Sequence, residues 1–332
     1  MMARVAINGL GRIGRAALKV VLDTPELELV AVNDLGSAEN FAYLIRYDTV
    51  YGRYDREVCA DDGDLVIDGQ RIRYLSERDP AQLPWGDLDV DLVFECTGFF
   101  TEIEDAGKHV TAGADKVIIS GPTKSADVPM VVHGVNSANG AHVVSCASCT
   151  TNNITPVMEV MNRRIGVKKA IMTTVHAYTS TQALVDFPGG AKDMRRGRGA
   201  ADNIVPSSTG AAIATTKALP AIEGVFDGLA LRVPVAVGSI ADVVFLAARD
   251  TTVDEVNDIF REEAATARYE GILGVSEDPI VSADIIGDAR ASIVDLELTQ
   301  VVDGDLVKVL TWYDNEWGYT NQMVREALKL LA

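Results

Sequence analysis

A cysteine at the expected start of a helix is the residue of this chain best placed for covalent chemistry. Residues 145–153 have the sequence SCASCTTNN, and a helical pattern follows from Asn152 to Arg164. The unpaired N–H groups and the dipole at a helix N-terminus stabilise a thiolate, and with a basic partner they lower a thiol pKa from about 8.5 to between about 3.5 and 7.5. We therefore predict that Cys149 is a nucleophile with a lowered pKa.

Cys146 and Cys149 also form a Cys-x-x-Cys pair, which leaves alternatives open. Such a pair can exchange disulfides in a thiol–disulfide oxidoreductase, or it can supply half of a zinc site. The sequence holds neither a second Cys-x-x-Cys pair nor a histidine pair that would complete the zinc ligands. We therefore expect no metal, and an exchanging pair remains the alternative to a single nucleophile.

Four histidines are available as a general base for this thiol. His176 ends an apolar strand pattern and is followed by a run of hydroxyl side chains. A histidine at a strand end beside such residues is suited to pair with a thiol, so His176 is the predicted base. For His109, predicted on a helix surface, and for His133 and His142 we expect structural or surface roles.

A Gly-x-Gly-x-x-Gly motif formed by Gly9, Gly11 and Gly14 follows the first predicted strand directly and opens the first helix. In this context the glycines allow a tight turn and close backbone approach, and the helix N-terminus offers N–H groups to a pyrophosphate. Asp34, at the end of the second strand, is placed to accept hydrogen bonds from both ribose hydroxyls of an adenosine. Because a carboxylate repels the extra phosphate of NADP, we predict NAD as the cofactor and NADP as the weaker alternative.

A basic segment indicates anion binding within an otherwise acidic chain. Residues 192–198 carry a net charge of +3, and a hydroxyl-rich stretch precedes the next predicted helix. Farther along, an arginine lies inside an apolar strand pattern, where a guanidinium needs an anion. We predict two phosphate-binding clusters, one formed by Arg232 and Thr179 and the other by Ser148, Thr209 and Gly210.

Composition excludes several kinds of partner. The 48 acidic residues outnumber the 30 basic ones, giving a net charge of −18 that would repel a nucleic-acid backbone or an anionic membrane. Neither is expected as a partner.

The chain opens directly on a strand pattern without the apolar stretch of a signal peptide, so we expect a cytoplasmic location. The excess of acidic residues is typical of proteins from a salty cytoplasm. Cys59 and Cys96 are expected to be packing residues.

The order of predicted elements divides the chain in two. Strands first alternate with helices, apart from a hairpin insertion between Tyr51 and Trp85, which predicts an α/β domain with a doubly wound parallel sheet of the Rossmann type. Several successive strands then predict an α+β catalytic domain with a predominantly antiparallel sheet. We place the NAD-binding domain at residues 1–149 and 315–332 and the catalytic domain at residues 150–314.

Six segments resemble, in order and spacing, the phosphorylating glyceraldehyde-3-phosphate dehydrogenase family. They are residues 8–15 (NGLGRIGR), 147–152 (ASCTTN), 176–179 (HAYT), 208–212 (STGAA), 231–234 (LRVP) and 312–319 (WYDNEWGY). The resemblance covers the whole chain. It implies a homotetramer that converts D-glyceraldehyde 3-phosphate, inorganic phosphate and NAD into 1,3-bisphosphoglycerate and reduced cofactor, a reaction of glycolysis and gluconeogenesis.

The resemblance also implies roles for individual residues. Cys149 would be the nucleophile, His176 the base, and Asn315 would hold the nicotinamide amide, while residues 318–331 would form a helix packed on the first domain. The other residues implied to contact NAD are Arg12, Ile13, Asp34, Arg78 and Ser120. The residues implied to hold the two phosphates are Ser148, Thr150, Thr179, Arg196, Thr209, Gly210 and Arg232.

The chain departs from the family pattern at a few positions. Thr181 stands where aspartate is frequent, Asn153 where cysteine is frequent and Gly121 where alanine is usual. The loop at residues 187–191 is longer by one residue than the common loop, although Pro188 matches members that use NAD.

Three alternative functions remain open: a thiol–disulfide oxidoreductase, a protein that only binds NAD, and an aldose-phosphate dehydrogenase that releases its acid by hydrolysis.

Overall fold

The computed structural model describes residues 2–138, 140–188 and 193–332. The chain forms two compact units. Unit 1 contains Met1–His133, Ser137–Ala147 and Met323–Ala332, and unit 2 contains Gly134–Asn136 and Ser148–Gln322. Lys192, at the start of the predicted basic segment, and residues 189–191 of the longer loop lie outside the described residues. None of the helices in the described part of the chain is long and apolar enough to cross a membrane.

Unit 1 is built around an eight-stranded sheet with the order β10-β9-β8-β1-β2-β7-β6-β5. In this order the first six strands, from β10 through β1 and β2 to β7, pair in parallel. The pairs β7–β6 and β6–β5 are antiparallel and form the expected hairpin insertion. The strands are β1 (Ala3–Asn8), β2 (Leu27–Asn33), β3 (Tyr47–Asp48), β4 (Gly52–Arg53), β5 (Val58–Asp61), β6 (Asp64–Ile67), β7 (Gln70–Leu75), β8 (Leu92–Glu95), β9 (Lys116–Ile119) and β10 (Val143–Ser145). The helices of this part are α1 (Arg12–Leu22), α2 (Ala38–Arg46) and α3 (Ile103–Thr111).

The register of the parallel strands gathers polar residues at one edge of this sheet. Asn8 pairs with Asn33 of β2 on one side and with Glu95 of β8 on the other. All three residues end their strands, and carboxyl ends of parallel strands are where open α/β sheets bind ligands. The glycine motif begins directly after Asn8, so it lies at this same edge.

Unit 2 contains a seven-stranded sheet with the order β12-β13-β11-β14-β17-β16-β15. Only β11 with β13 and β15 with β16 pair in parallel; the other neighbours are antiparallel. The strands are β11 (Val167–Ala177), β12 (Val205–Ser208), β13 (Phe226–Val233), β14 (Ser239–Ala247), β15 (Leu273–Ser276), β16 (Ser292–Val302) and β17 (Leu306–Tyr313). The helices are α4 (Cys149–Arg164), α5 (Ala211–Ala218), α6 (Val253–Ala264) and α7 (Trp317–Leu331), which continues into unit 1.

The core of unit 2 lies between the sheet and its helices. Val157 and Met158 of α4 are completely buried, together with Val243 of β14 and Val309 of β17. The alternating burial along β14 is that of a sheet covered on one face. The predicted fold class, a parallel α/β domain followed by a mainly antiparallel α+β domain, is confirmed.

Several local predictions differ from the structure. His109, expected on a helix surface, is fully buried, because Trp85 Nε1 donates to its Nδ1 at 2.9 Å and Glu95 lies 3.0 Å from its Nε2. Cys59, expected in the packing, is exposed on the outermost strand β5, whereas Cys96 is buried as predicted. Helix α4 begins at Cys149 itself rather than three residues later, and α2 was not predicted.

Candidate active site

The thiol of Cys149 stands on the first residue of α4. Ser148 caps this helix, since its Oγ accepts a hydrogen bond from the Thr151 N–H at 3.1 Å. Asn152 Nδ2 donates to the Ser148 carbonyl at 3.0 Å and holds the cap in place. Ala147, immediately before the cap, has a φ of 53°, a left-handed conformation that turns the chain sharply into the helix. A half-buried thiol is thereby fixed at a helix N-terminus.

The imidazole of His176 faces this thiol. His176 lies near the end of β11, is only 2 % exposed, and its Nε2 is 3.3 Å from Cys149 Sγ. The other ring nitrogen, Nδ1, lies 2.6 Å from the carbonyl oxygen of Ala177. The two side chains that the sequence predicted as nucleophile and base are therefore in hydrogen-bonding contact, although 27 residues separate them.

Arg232 lies beside His176 because the two residues pair directly across β13 and β11. Its Nη1 is 2.6 Å from His176 Nδ1 and donates to the Ala177 carbonyl at 3.0 Å. In the described part of the chain, no carboxylate forms an ion pair with this guanidinium. The predicted arginine in apolar strand surroundings is thus a half-buried cation next to the imidazole.

Burial decides the proton affinities of this cluster. It raises the pKa of the Cys149 thiol, although Arg232 and hydrogen bonds in the first turn of α4 act in the opposite direction. Burial, reinforced by the Arg232 charge, lowers the pKa of His176 to about 3. The expected lowering of the thiol pKa is therefore wrong, because burial of the thiol outweighs the opposing contributions and a buried imidazole beside a guanidinium stays neutral and offers no positive charge.

Tyr313 supports the pair from β17, and sequence reasoning missed it. Its hydroxyl contacts Thr150 Oγ1 at 2.9 Å and Thr174 Oγ1 at 2.8 Å, so it joins α4 to β11. Its ring meets His176 edge-on, with 5.9 Å between the ring centroids. The signal in the sequence was a tyrosine at the end of a mainly apolar strand pattern. The contact also means that the Thr150 hydroxyl, expected on phosphate, is engaged by Tyr313.

The remaining residues predicted to bind phosphate lie on loops and helix starts of unit 2. Arg196 contacts Ser207 Oγ at 3.0 Å and forms an ion pair with Asp193 at 3.0 Å, and its charge acts on Arg232. Thr209 Oγ1 accepts from the Ala211 N–H at 3.1 Å, and Gly210 caps α5 without a side chain. Thr179 Oγ1 lies 2.9 Å from Thr181 Oγ1.

A cavity of about 540 Å³ opens at the carboxyl edge of the parallel sheet in unit 1. Gly9, Gly11, Asp34 and Arg78 are among its lining residues. Gly9 has a φ of +94°, and a Cβ on Gly14 would stand 1.8 Å from the Gly9 carbonyl oxygen, so both positions require glycine. A Cβ on Gly11 would meet no protein atom within 4 Å. No side chain caps the α1 N-terminus, and the N–H groups and dipole of a helix N-terminus suit a phosphate ligand.

The other predicted cofactor residues have contacts of their own. Asp34 Oδ2 accepts from the Leu10 N–H at 2.7 Å, which ties the carboxylate to the glycine loop. Arg12, the first residue of α1, pairs with Asp48, and Ile13 follows it in the same turn. Ser120 comes directly after β9 and hydrogen-bonds Cys96, which lines the cavity.

Asn315, in unit 2, has a fixed amide. Its Oδ1 accepts from the Gly238 N–H and from Ser239 Oγ, both at 3.1 Å, so its NH₂ group is left to donate elsewhere. Among the described residues, no group of three or more histidine, cysteine, aspartate or glutamate side chains is placed to hold a metal ion.

A cavity suited to a dinucleotide and a thiol paired with an imidazole together fit a dehydrogenase that oxidises an aldehyde through a cysteine-bound intermediate, and this chain has both. The comparisons agree with that class. Residues 3–103 match the family model of the glyceraldehyde 3-phosphate dehydrogenase NAD binding domain, and residues 148–315 match that of its C-terminal domain. The chain therefore belongs to the glyceraldehyde-3-phosphate dehydrogenase family.

Curated relatives match almost end to end. The chain is 49% identical to the glyceraldehyde-3-phosphate dehydrogenase of Streptomyces coelicolor over 98% of this chain and 97% of that protein. It is 47% identical to glyceraldehyde-3-phosphate dehydrogenase 1 of Bacillus subtilis over 98% and 97% of the two chains. The Zymomonas mobilis enzyme of the same name is 44% identical over 99% of both chains.

Proposed function

We propose that this protein oxidises D-glyceraldehyde 3-phosphate with NAD and couples the oxidation to inorganic phosphate, giving 1,3-bisphosphoglycerate. The observation that carries the proposal is the 3.3 Å contact between Cys149 Sγ and His176 Nε2 at the N-terminus of α4, with Arg232 alongside. Family membership supports the reaction, which we propose is a step of glycolysis or gluconeogenesis. The residue roles below belong to this proposal.

Cys149 is the proposed nucleophile. Its sulfur adds to the aldehyde carbon, the thiol proton passes by way of His176 to the aldehyde oxygen, and a hemithioacetal forms. Nε2 of His176 then takes the hydroxyl proton while the C–H electron pair leaves as hydride, which converts the hemithioacetal into a thioester. An oxygen of inorganic phosphate adds to the thioester carbon, the C–S bond breaks, and the sulfur leaves with its electron pair as a thiolate.

NAD supplies the hydride acceptor when it is bound. The residues of unit 1 suit it, because Gly11 leaves open space where a Cβ would project and the uncapped α1 N-terminus offers N–H donors. We propose that Asp34 accepts from the adenosine ribose and so favours NAD over NADP. Arg12, Ile13, Arg78 and Ser120 are proposed cofactor contacts, and the NH₂ group of Asn315 is proposed to hold the nicotinamide amide.

Two anion sites are proposed in unit 2. Arg232 and Thr179 bind the C3 phosphate of the substrate, since a guanidinium without a carboxylate partner suits a bidentate phosphate. The other proposed site, for inorganic phosphate, uses the caps of α4 and α5 together with Arg196. Its members are Ser148, Thr150 through its N–H group, Thr209, Gly210 and Arg196.

We also propose a homotetramer. Large apolar side chains are exposed on unit 2, both on the open face of its sheet and on the loop after β11. Ile171 is 61% exposed on the sheet face, and Leu184 and Phe187 are 77% and 70% exposed on the loop. Exposed apolar surface of this kind is typical of an interface, and a second copy of the chain offers the same apolar surface in return.

Initial rates with glyceraldehyde 3-phosphate test the proposal, measured with NAD or NADP and with or without phosphate. We expect NAD to exceed NADP by about tenfold or more in kcat/KM, and turnover to require phosphate. Cys149→Ser should abolish turnover while leaving NAD binding intact, and Cys146→Ala should keep turnover. Activity in Cys149→Ser would overturn the mechanism, whereas loss of activity in Cys146→Ala would favour an exchanging cysteine pair. Turnover without phosphate would favour the hydrolytic alternative.

A further inference from the structure

Unit 1 contains a buried carboxylate at the carboxyl edge of its parallel sheet that the proposed reaction does not use. Glu95, the last residue of β8, is 1% exposed, and in the described part of the chain no lysine or arginine forms an ion pair with it. Burying a carboxylate is costly unless hydrogen-bond donors replace the water it loses. The donors around Glu95 therefore show which parts of the molecule this carboxylate holds in place.

Oε1 of Glu95 orders the loop that follows β8. It accepts from the Thr97 N–H at 2.8 Å and from the Thr97 hydroxyl, and that hydroxyl oxygen accepts from the Phe99 N–H at 3.1 Å. Thr97 and Phe99 line the cavity of about 540 Å³. The Thr97 backbone also packs closely on Gly9, where a Cβ would stand 2.7 Å from Thr97 N. Glu95 thus fixes one part of the cavity wall without lining the cavity itself.

Oε2 of Glu95 orders a second part of the cavity wall. It accepts from Asn8 Nδ2 at 2.6 Å, and Asn8 Oδ1 in turn accepts from Asn33 Nδ2 at 2.7 Å. Asn33 binds the backbone of Glu77 twice, since its Oδ1 accepts from the N–H at 2.8 Å and its Nδ2 donates to the carbonyl at 2.9 Å. Asn8, Asn33 and Glu77 all line the cavity. One carboxylate therefore joins two separate parts of its wall.

The imidazole of His109 is a further donor to Glu95, and hydrogen bonding fixes its tautomer. The Trp85 indole N–H is only a donor and lies 2.9 Å from His109 Nδ1, so Nδ1 is the acceptor and carries no proton. The ring proton is then on Nε2, which donates to Glu95 Oε2 at 3.0 Å. His109 and Trp85 are fully buried, and neither lines the cavity.

We propose that Glu95, held by His109 and Trp85, is a positioning residue for NAD. Its carboxylate sets the Thr97 loop and the Asn8 side chain in the arrangement that the cofactor binds. This rests on the proposed function, in which NAD occupies this cavity. The affinity for NAD therefore depends on hydrogen bonds made by residues that do not line the cavity, whereas the chemistry at Cys149 does not depend on them.

Two substitutions of His109 test this proposal. Leucine is buried readily but offers Glu95 no donor, whereas glutamine keeps an amide N–H donor and a carbonyl acceptor. In NAD titrations of the folded proteins, we expect His109→Leu to raise the Kd for NAD about tenfold and His109→Gln to stay within about threefold of the wild type. His142→Leu replaces an exposed histidine of the same unit and, as the control, should bind NAD like the wild type.

Steady-state kinetics separate positioning of the cofactor from a general loosening of the fold. His109→Leu should raise the KM for NAD by about the same factor, while kcat at saturating NAD and the KM for glyceraldehyde 3-phosphate stay within about twofold of the wild type. A wild-type Kd for NAD in His109→Leu would overturn the inference. Equal weakening of NAD in the leucine and glutamine variants would overturn it too, since the hydrogen bond would then be irrelevant.

Two further measurements apply even if His109→Leu does not fold. The ¹⁵N spectrum of histidine-labelled wild type, assigned by the signals lost in His109→Gln, should show the His109 proton on Nε2; a proton on Nδ1 overturns the inference. Thr97→Val, which removes the hydroxyl that donates to Glu95, should weaken NAD about tenfold more than Thr97→Ser, and equal affinities contradict the proposal. A wild type that binds no NAD would instead overturn the proposed function itself.

Discussion

Burial of the Arg232 guanidinium is costly, and in the part of the chain that the structure describes no carboxylate forms an ion pair with it. Removing a guanidinium from water costs several kcal/mol unless a geometrically matched anion replaces the lost hydration. Arg232 Nη1 donates to the Ala177 carbonyl and lies 2.6 Å from His176 Nδ1, and in our proposal a phosphate is its anionic partner. At the residue scale, this cation fits the proposal that its anionic partner arrives with the substrate.

Replacing Arg232 with lysine tests the contribution of the planar guanidinium separately from that of its positive charge. Lysine keeps the positive charge but loses the planar pair of N–H donors that binds two phosphate oxygens at once. We expect Arg232→Lys to lower kcat/KM for glyceraldehyde 3-phosphate about 10- to 100-fold and to affect unphosphorylated glyceraldehyde far less. The measurement is the ratio of the two kcat/KM values in wild type and variant. An unchanged ratio would mean that Arg232 does not hold the phosphate.

The low pKa of His176 makes the folded state sensitive to acid. In the unfolded chain a histidine takes up a proton near pH 6.5, whereas folded His176 stays neutral down to a pKa of about 3. The unfolded state therefore binds more protons below pH 6.5, and stability falls with pH from there toward 3. By pH 5 this residue should lower the free energy of unfolding by about 2 kcal/mol.

Urea unfolding at pH 7.5 and pH 5 measures this contribution. His176→Asn should lose about 2 kcal/mol less than the wild type between the two pH values. His142→Gln, which removes an exposed imidazole, serves as the matched control and should keep the wild-type difference. If His176→Asn has the same pH dependence as the wild type, the buried neutral imidazole is excluded.

At the scale of elements, the turn from β1 into α1 contains two glycines, Gly14 and Gly11, whose surroundings differ. Gly14 lets the helix approach the strand, because a Cβ there would overlap the Gly9 carbonyl oxygen at 1.8 Å. Gly11 has an ordinary φ of −64° and open space beside it, at the mouth of the cavity. Packing requires glycine at position 14, whereas no protein atom requires it at position 11, where we propose that the cofactor approaches the backbone.

Two alanine substitutions test that difference. Gly11→Ala should leave the free energy of unfolding within about 0.5 kcal/mol of the wild type and weaken NAD about tenfold or more, since its methyl group would occupy ligand space. Gly14→Ala should lose about 3 kcal/mol or more of stability, because backbone must move. Denaturant unfolding and NAD titration of both variants give the result. Wild-type NAD affinity in Gly11→Ala would show that the pyrophosphate does not bind at this turn.

At the scale of the whole molecule, charge and apolar surface act in opposite directions. A net charge of −18 keeps separate chains apart, whereas the exposed face of the unit 2 sheet and the loop after β11 favour association. Lys169 and Asp242 accompany the apolar residues on the sheet strands, so the surface is not uniformly acidic. Salt screens the repulsion between the acidic chains, while the apolar contribution to their association remains.

Light scattering in 0.1 M and 1 M salt tests the homotetramer. We expect four times the mass of the 332-residue chain in both, with tighter association at high salt. Ile171→Asp on the open sheet face should reduce the mass, because it places a desolvated charge in the interface. Val281→Asp, a similarly exposed change in the loop between β15 and β16, is the control and should not. A monomer under all conditions would contradict the assembly.

Features that depend on neighbours in the chain could be obtained from the sequence alone. The glycine turn before α1, the cysteine at the start of α4 and the change from alternating elements to successive strands all follow from local spacing and backbone preference. His176 and Arg232 were predicted in the same way, from a strand end beside hydroxyl residues and from an apolar strand pattern, and the motifs of the family resemblance are likewise contiguous segments. These features determined the class of fold and the identity of the candidate nucleophile and base.

Only the tertiary structure decided which side chains meet and which protons they hold. The register of β11 with β13 places Arg232 against His176 over 56 residues of chain, and Tyr313 reaches Thr174 over 139. The sequence alone predicted a lowered thiol pKa and a surface His109, and both were wrong. Desolvation and cross-strand contact set these properties, and neither depends on the spacing of residues along the chain.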